Sequence, residues 1–296
     1  MARFGRVVTA MVTPFDDELG LDVDGAAALA RWLQEQGNEG LVVAGTTGES
    51  PTLTDDEKLT LWETVAAAVT IPVVAGSTGA DTAHSVHLTA EASKRGVAGI
   101  LALCPYYNRP SQAGIEAHLR AVAAATTLPV IVYDIPIRTG RKVSSEVLLR
   151  LADEVPNILG LKDAAGNPAA TATVVAAAPR DFEVYSGDDA MTLPLLAVGA
   201  VGLVGVATHW VAPDAVEMFD AWERGDVATA IGINARLLES WQFETGDETP
   251  NPAPTKAMLR HLGQPAGGCR PPMDADPVWL DSRAADVYKA LVAARG

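Results

Sequence analysis

The sequence has 296 residues, 48% of them hydrophobic and only 5% aromatic, which suits one large domain with an aliphatic core. Its formal net charge is -15, from 37 acidic and 22 basic residues, and a field of that sign repels phosphate backbones and anionic lipid headgroups. Nucleic acid and membrane are therefore excluded as expected partners.

Eight short apolar segments predict β-strands, and the longer amphipathic or alanine-rich segments between them predict helices. The predicted strands span residues 7–12, 40–44, 72–76, 99–103, 129–134, 158–162, 183–186 and 202–206. This alternation indicates repeated βα units. It predicts an α/β fold, the (β/α)8 TIM barrel, with a doubly wound open sheet as the alternative.

Two apolar segments resemble targeting or membrane sequences without matching them. Residues 1–15 are interrupted by Pro14 and lack a small-residue cleavage site, so we interpret them as containing the first strand and expect a cytoplasmic protein. Residues 190–213 carry no Asp, Glu, Lys or Arg, a length that could cross a bilayer. Pro194 and three glycines interrupt this stretch, which favours a short helix over 193–198, a turn and a buried strand.

Local signals mark several helix starts. Thr54 and Glu57 form a predicted capping box, and Asp81 and Ser144 are predicted N-caps. The eighth helix is predicted over residues 212–224.

Beyond Gly225 only helical segments are predicted, separated by Pro/Gly-rich stretches at 249–254 and 263–272. The sequence thus predicts a catalytic barrel over residues 1–225 and a C-terminal helical appendage over 226–296.

Polar residues follow five of the predicted strands, at the end of a parallel barrel where active sites lie. These strand ends are at residues 45–50, 104–108, 133–138, 162–163 and 186–189. His84 and His87 have helical spacing, but no third ligand accompanies them, so no metal site is predicted. Cys104 and Cys269 lie in no Cys-x-x-Cys or Cys/His cluster, and we expect both to be buried and inert.

Lys162 is the most unusual of these residues, because it ends an apolar strand where desolvation disfavours the ammonium and leaves a nucleophilic amine. A neutral lysine amine attacks ketones, which predicts Schiff-base chemistry; the alternative is a lysine that extends to solvent at the barrel rim. Arg138 follows Pro136 in a rigid turn and could bind a carboxylate through two parallel hydrogen bonds, although a surface ion pair is the more common role for such an arginine taken alone.

Hydroxyl groups complete the candidate site. Thr46 and Thr47, between two glycines, could hold a carboxylate or orient a proton shuttle, but Gly-Thr-Thr-Gly is also ordinary turn chemistry. Tyr133 at a strand end could relay a proton or simply fill the barrel. Tyr106 and Tyr107 could cap a pocket or lie in an interface.

Five motifs, in their order and spacing over nearly the whole chain, resemble the dihydrodipicolinate synthase family. They are Gly45-Thr46-Thr47-Gly48-Glu49, Tyr106-Tyr107-Asn108-Arg109-Pro110, Tyr133-Asp134-Ile135-Pro136-Ile137-Arg138-Thr139-Gly140, Leu161-Lys162-Asp163 and Ser186-Gly187-Asp188-Asp189. The family belongs to the pyruvate-dependent class I aldolase and N-acetylneuraminate lyase superfamily, whose members use a (β/α)8 barrel. The resemblance implies condensation of pyruvate with L-aspartate 4-semialdehyde to 4-hydroxy-tetrahydrodipicolinate, in lysine and diaminopimelate biosynthesis.

The resemblance also implies roles for individual residues. Lys162 would form the imine with pyruvate, with no other cofactor, and the region of Thr46 and Thr47 would hold the pyruvate carboxylate. Tyr133 would shuttle protons. Thr46 would link Tyr133 to Tyr107, which in this family comes from the neighbouring subunit, so at least a dimer is implied; we expect a homotetramer built as a dimer of dimers.

Arg138 matches the family arginine that binds the carboxylate of aspartate semialdehyde, and Val204 matches a position whose backbone carbonyl lies near the lysine. Asp163 replaces the glutamate of many members, and Val204 replaces the isoleucine of some. Related aldolases that act on sialic acid or 2-keto-3-deoxy sugar acids are the alternative, but Thr46 and Arg138 favour the synthase. A catalytically silent keto-acid-binding protein is a further alternative.

Seven positions match the lysine-inhibitor pocket of feedback-sensitive family members: Ser50, Pro51, Asp55, Lys58, Ala80, His84 and Tyr106. In those members a carboxylate at the position of His84 holds the α-amine of the inhibitor. An imidazole cannot supply that counter-charge, so weak or absent inhibition by lysine is predicted.

Overall fold

The computed structural model describes residues 2–273 and 276–295. Eight parallel strands form a closed barrel in chain order, with β8 returning to pair with β1. The strands are β1 (Val7–Ala10), β2 (Gly40–Val43), β3 (Val73–Gly76), β4 (Gly99–Leu103), β5 (Val130–Asp134), β6 (Ile158–Asp163), β7 (Glu183–Ser186) and β8 (Gly202–Gly205). The (β/α)8 barrel is therefore confirmed and the open sheet is wrong. All eight predicted strands are present; the largest difference is in β1, which ends at Ala10 rather than at residue 12.

Helices follow the strands and surround the barrel. They are α1 (Val23–Glu35), α2 (Asp55–Ala68), α3 (Thr82–Ala92), α4 (Gln112–Ala124), α5 (Pro136–Thr139), α6 (Ser145–Glu154), α7 (Pro168–Ala177), α8 (Thr192–Leu196), α9 (Thr208–Glu223), α10 (Val227–Phe243), α11 (Ala253–His261) and α12 (Leu280–Ala294). The last three follow the barrel, as the predicted C-terminal helical appendage requires.

The predicted helix starts are confirmed. The Thr54 hydroxyl accepts from the Glu57 amide, and the Glu57 carboxylate accepts from the Thr54 amide at 2.8 Å, so both halves of the capping box are formed. Asp81 caps α3 and Ser144 caps α6, each by accepting a backbone N–H of the first turn. These bonds satisfy amides that have no partner within the helix.

The apolar stretch 190–213 contributes to three elements of the barrel: α8, β8 and the start of α9. The helix predicted over 212–224 is α9, and it begins at Thr208 rather than at 212, because Trp210 and Val211 bury their side chains against β8 and the C-terminal helices. Within the described residues no helix combines the length and hydrophobicity needed to span a membrane.

The apolar core has three parts. One fills the barrel interior, a second lies between the strands and the surrounding helices, and a third joins β8 and α9 to α10, α11 and α12. Phe4 closes the amino-terminal end of the barrel, and Gly99 leaves room for it: a Cβ there would lie 2.5 Å from the Phe4 ring. The third part of the core is continuous across residue 225, so the predicted division at 225/226 remains an interpretation of the sequence.

Candidate active site

Lys162 and Tyr133 lie side by side at the carboxyl end of the barrel. They occupy paired positions on β6 and β5, and the Lys162 Nζ lies 4.3 Å from the centroid of the Tyr133 ring. Both side chains are buried, with 4% and 5% of their surface exposed. The predicted amine and phenol are therefore in contact, in an environment largely shielded from water.

The electrostatic environment of Lys162 favours its neutral form. Burial lowers the pKa of its ammonium from 10.5 to about 8, and the positive charge of Arg138 acts in the same direction. The negative charge of Asp189 opposes this shift. With a pKa near 8, about a tenth of the lysine is neutral at pH 7, against less than about a thousandth for an ordinary lysine.

Tyr133 stays protonated at neutral pH. Burial raises the pKa of its phenol well above the ordinary value, and the charge of Arg138 and the side chain of Thr46 offset only part of this effect. The phenol is therefore a proton donor in the resting site, and it becomes a base only after it has donated.

The loop after β2 is held from two directions. Thr46 is half-buried, whereas Thr47 is buried and its hydroxyl accepts a hydrogen bond from Asn251 Nδ2 at 2.9 Å. The Thr13 hydroxyl donates to the carbonyl oxygen of Gly48 at 2.6 Å. These bonds hold the loop in one conformation, leaving the Thr47 O–H free to donate to a bound group.

Arg138 and Val204 come from two further elements, α5 and β8. Arg138 is exposed on the one-turn helix α5, and its charge acts on both Lys162 and Tyr133. Val204 is buried on β8, paired with Val8, and belongs to the same interior apolar group as Tyr133. The arginine thus stands at the mouth of the site and the valine in its wall.

Tyr107 is the one candidate residue that does not reach the site within its own chain. Its side chain is 92% exposed, and its backbone φ is 68°, in the left-handed region. The loop is anchored on the turn after α5, where Arg109 Nε donates to the Gly140 carbonyl at 3.1 Å and Arg141 Nε donates to the Arg109 carbonyl at 3.3 Å.

A cavity of about 390 Å³ extends from Thr46 and Tyr133 toward the starts of α2 and α3. Its far end is lined by all seven residues matched to the inhibitor pocket: Ser50, Pro51, Asp55, Lys58, Ala80, His84 and Tyr106. His84 is not free there, because its Nε2 lies 2.9 Å from Asp55 Oδ2. Lys58 is buried beside them, and desolvation lowers its pKa.

Three contributors from the C-terminal helices were not found by sequence reasoning. Glu244 adjoins Asp189, Asn251 bonds Thr47, and Lys256 Nζ lies 2.7 Å from Glu49 Oε1 in a buried ion pair. A weak signal existed for Glu244: it continues the buried face of α10 one turn beyond Ser240 and Trp241.

Metal ligands do not converge in the described part of the chain: no three His, Cys, Asp or Glu side chains there could hold an ion together. Cys104 and Cys269 are free and buried, and burial raises the pKa of both thiols to about 12, as expected for inert residues. His209 is also buried and its pKa falls to about 4.

The sequence profile described as the Dihydrodipicolinate synthetase family matches residues 3–285. The chain belongs to this family. A 4-hydroxy-tetrahydrodipicolinate synthase of Moorella thermoacetica is 47% identical over 273 residues, covering 92% of both chains.

Solved structures of dihydrodipicolinate synthases have the same fold as this chain. The enzyme of Bacillus anthracis superposes with a TM-score of 0.94 at 37% identity, covering 98% of this chain and 99% of the other. A lysine-bound DHDPS structure from Cyanidioschyzon merolae has a TM-score of 0.95 at 39% identity and covers 99% of each chain. The family resemblance noted in the motifs is thereby confirmed over the whole fold.

Proposed function

We propose that this member of the Dihydrodipicolinate synthetase family condenses pyruvate with L-aspartate 4-semialdehyde to 4-hydroxy-tetrahydrodipicolinate, with Lys162 as the nucleophile. The relatives named for this activity are similar over nearly the whole chain and favour it over the sugar-acid and sialic acid lyases. The observation that carries the assignment of Lys162 is a buried amine, with its pKa lowered to about 8, placed against the Tyr133 phenol.

The first step is imine formation. The neutral Lys162 amine attacks C2 of pyruvate, and the resulting carbinolamine loses its hydroxyl as water when a proton is supplied. Tyr133, kept protonated by burial, is the proposed donor, and Thr46 is the neighbour through which that proton is replaced. The hydroxyl and amide groups around Thr47 bind the pyruvate carboxylate.

The second step joins the two substrates. Tyr133, once it has donated its own proton, accepts a C3 proton of the iminium and leaves an enamine, whose carbon attacks the aldehyde of aspartate semialdehyde and forms the new carbon–carbon bond. Tyr133 then returns the proton to the aldehyde oxygen, which becomes the hydroxyl of the product. The substrate amine then adds to the imine carbon and displaces Lys162, closing the ring and regenerating the enzyme. Arg138 at the mouth binds the semialdehyde carboxylate, and Val204 is the residue whose backbone carbonyl the family resemblance assigns to the neighbourhood of the lysine.

Two further assignments remain predictions. Tyr107 completes the proton relay of a neighbouring subunit, in a homotetramer built as a dimer of dimers, and the protein works in the cytoplasm without metal or other cofactor. The extreme exposure of Tyr107 supports the first, because a tyrosine that served its own barrel would be turned inward.

The test is borohydride reduction in the presence of pyruvate, followed by peptide mass mapping. We expect one irreversible adduct, on Lys162, and loss of nearly all synthase activity in Lys162→Ala. Lys94→Ala, which removes an exposed lysine just after α3, is the matched control and should retain both labelling and activity. Labelling of another lysine, or none, would refute the proposal.

Borohydride trapping, combined with the kinetics of the full reaction, distinguishes residues that act on pyruvate from residues that bind aspartate semialdehyde. Arg138→Ala should still be trapped by pyruvate and borohydride, but kcat/KM for aspartate semialdehyde should fall about 10- to 100-fold, because a charge-assisted pair contributes roughly 1.5 to 3 kcal/mol. Normal turnover of the semialdehyde by this variant, or a preference of the unmodified enzyme for a sugar-derived aldehyde, would overturn the substrate assignment.

A further inference from the structure

Two buried carboxyl groups lie side by side behind Lys162. Asp189 Oδ2 accepts from the Val206 amide at 2.9 Å, and Glu244 Oε2 accepts from the next amide, that of Ala207, at 3.0 Å. Consecutive amides of one turn therefore hold the two carboxyls next to each other. Asp189 follows β7, whereas Glu244 follows α10 in the C-terminal helices, so the pair joins the barrel to its appendage.

One oxygen of this pair has no donor. Asp189 is 1% exposed, and its Oδ1 finds no hydrogen-bond partner among residues 2–273 and 276–295. A buried unpaired carboxylate oxygen is strongly unfavourable, and so are two adjacent carboxylates that are both ionised. A single proton on Glu244 removes both penalties. The protonated carboxyl can donate to Asp189 Oδ1, and only one of the two carboxyls is then ionised. Burial and the neighbouring Asp189 raise the pKa of Glu244 well above its ordinary value, which agrees with this protonation.

The pair reaches Lys162 through the β7 turn. The Lys162 side chain lies directly on Gly187, where an added Cβ would stand 2.9 Å from both Cγ and Cε of the lysine. Asp189 is two residues further along the same turn. Its charge acts on Lys162 more strongly than that of any other group.

We propose that Glu244 is a positioning residue for the reaction: its protonated carboxyl donates to Asp189 and keeps Asp189 ionised as the counter-charge for Lys162. The proposal rests on the function proposed above. An ionised Asp189 stabilises the lysine ammonium and, more usefully, the iminium that the lysine forms with pyruvate. A neutral Asp189 would weaken both cations.

The other charged groups near this centre are few. Asp188 faces both carboxyls and disfavours a second negative charge on them, Arg138 opposes the ammonium, and Tyr133 is neutral. His209 is adjacent on α9 and stays neutral; its Nδ1 donates to the Val206 carbonyl at 2.7 Å and its Nε2 accepts from the Val12 amide. Asp163 is engaged by the Thr171 hydroxyl and the Ala165 amide.

Three variants test the proposal. Glu244→Gln is decisive, because an amide can donate to Asp189 Oδ1 and accept from Ala207 as the protonated acid does, but it cannot carry charge. Asp189→Asn removes the counter-charge itself. Glu244→Ala removes the donor, so Asp189 should take up the proton and the variant should behave like Asp189→Asn.

The readout is the rate and extent of pyruvate trapping by borohydride as a function of pH, with thermal unfolding as the check on folding. Asp189→Asn and Glu244→Ala should shift the acid limb of the trapping profile, the pH range over which trapping rises as Lys162 loses its proton, to lower pH, because the ammonium loses its counter-charge. Both variants should also raise the KM for pyruvate several-fold, because the iminium loses the same counter-charge. Glu244→Gln should keep the acid limb within a few tenths of a pH unit of the unmodified enzyme.

The outcomes are distinguishable. If Glu244→Gln shifts the acid limb as far as Asp189→Asn does, Glu244 carries the charge and the proposal is wrong. If Glu244→Ala leaves both the acid limb and the KM unchanged, the pair is structural only, which also overturns it. Failure of the unmodified enzyme to trap pyruvate on Lys162 would instead refute the proposed function. Should Asp189→Asn not fold, the comparison of the two Glu244 variants decides alone.

Discussion

Lys162 shows how one residue serves chemistry at the expense of stability. Burial lowers the pKa of Lys162 from 10.5 to about 8, so the folded protein holds a proton on this amine less tightly than the unfolded chain does. The shift that makes the amine nucleophilic near neutral pH is therefore a destabilising one.

We predict that Lys162→Met is more stable than the unmodified protein at pH 7, by roughly 1 to 3 kcal/mol, because a neutral side chain of similar size replaces a buried cation. The difference should shrink as the pH rises from about 8 toward 10.5. In that range the folded lysine is neutral while the unfolded one is protonated, so the stability of the unmodified protein rises with pH. Urea unfolding at several pH values measures this, with Lys94→Met as the exposed control; a variant less stable at pH 7 would contradict it.

His84 is the second residue with a specific consequence. Its imidazole stands where feedback-sensitive family members are expected to have a carboxylate, it is paired with Asp55, and the buried amine of Lys58 lies in the same cavity. A basic amino acid entering this cavity meets Lys58, whose ammonium repels its own ammonium groups, and the one nearby carboxylate, Asp55, is already engaged by His84.

We therefore expect millimolar L-lysine to leave the synthase rate nearly unchanged. His84→Glu restores a carboxylate at this position and should introduce measurable inhibition, whereas His84→Gln, of the same size but neutral, should not. Saturable inhibition of the unmodified enzyme at micromolar lysine, abolished by changing His84 or Tyr106, would show that the pocket binds lysine despite the substitution.

At the scale of elements, the loop after β2 depends on the C-terminal helices. Lys256 on α11 is fully buried, paired with Glu49 at 2.7 Å, and donates to the Gly268 carbonyl at 2.6 Å. Glu49 also accepts from the Arg270 amide at 2.8 Å. Residues beyond the barrel, in the C-terminal region, therefore hold the loop that carries Thr46 and Thr47 in place.

Lys256→Met should lower the free energy of unfolding by about 3 to 5 kcal/mol, because it leaves the Glu49 carboxylate buried without its counter-charge. The KM for pyruvate should rise as well, since the loop loses its anchor. Adding Glu49→Gln to this variant should recover part of the stability by removing the unpaired charge. Lys289→Met, at an exposed position on α12, should change stability by no more than about 0.5 kcal/mol. A Lys256→Met protein as stable as this control would refute the role of the ion pair.

At the scale of the whole molecule, the exposed loop around Tyr107 bears on assembly. Tyr107 and Ile137 present 92% and 90% of their surface to solvent, and their loops are joined by the hydrogen bonds of Arg109 and Arg141. Large apolar side chains exposed together often mark an interface between subunits.

We predict that mixing two inactive variants, Lys162→Ala and Tyr107→Phe, restores activity after subunit exchange. In a mixed dimer, the site that holds Lys162 receives an intact Tyr107 from its partner. With random exchange, about a quarter of the unmodified activity per chain is expected, because half of the dimers are mixed and each has one complete site. No recovery, in mixtures shown by native mass spectrometry to contain mixed dimers, would place the function of Tyr107 within its own subunit.

The sequence by itself determined the barrel and the strand-end residues Lys162, Tyr133, Thr46 and Arg138. Each β-strand and helix leaves a local periodic pattern, and in a parallel barrel the residue that follows a strand necessarily lies at the catalytic end. The capping box and the N-caps were predictable for the same reason, since their hydrogen bonds join residues three apart.

Only the tertiary structure determined the pKa shifts in the site and the contacts that hold its residues in place. Glu244 beside Asp189, Asn251 on Thr47 and Lys256 on Glu49 join segments far apart in the chain. Contacts between such distant segments produce no periodic pattern in the sequence of either segment. The desolvation that lowers the pKa of Lys162 likewise depends on how completely the surrounding elements exclude water from the finished barrel, so it exists only once the chain has folded.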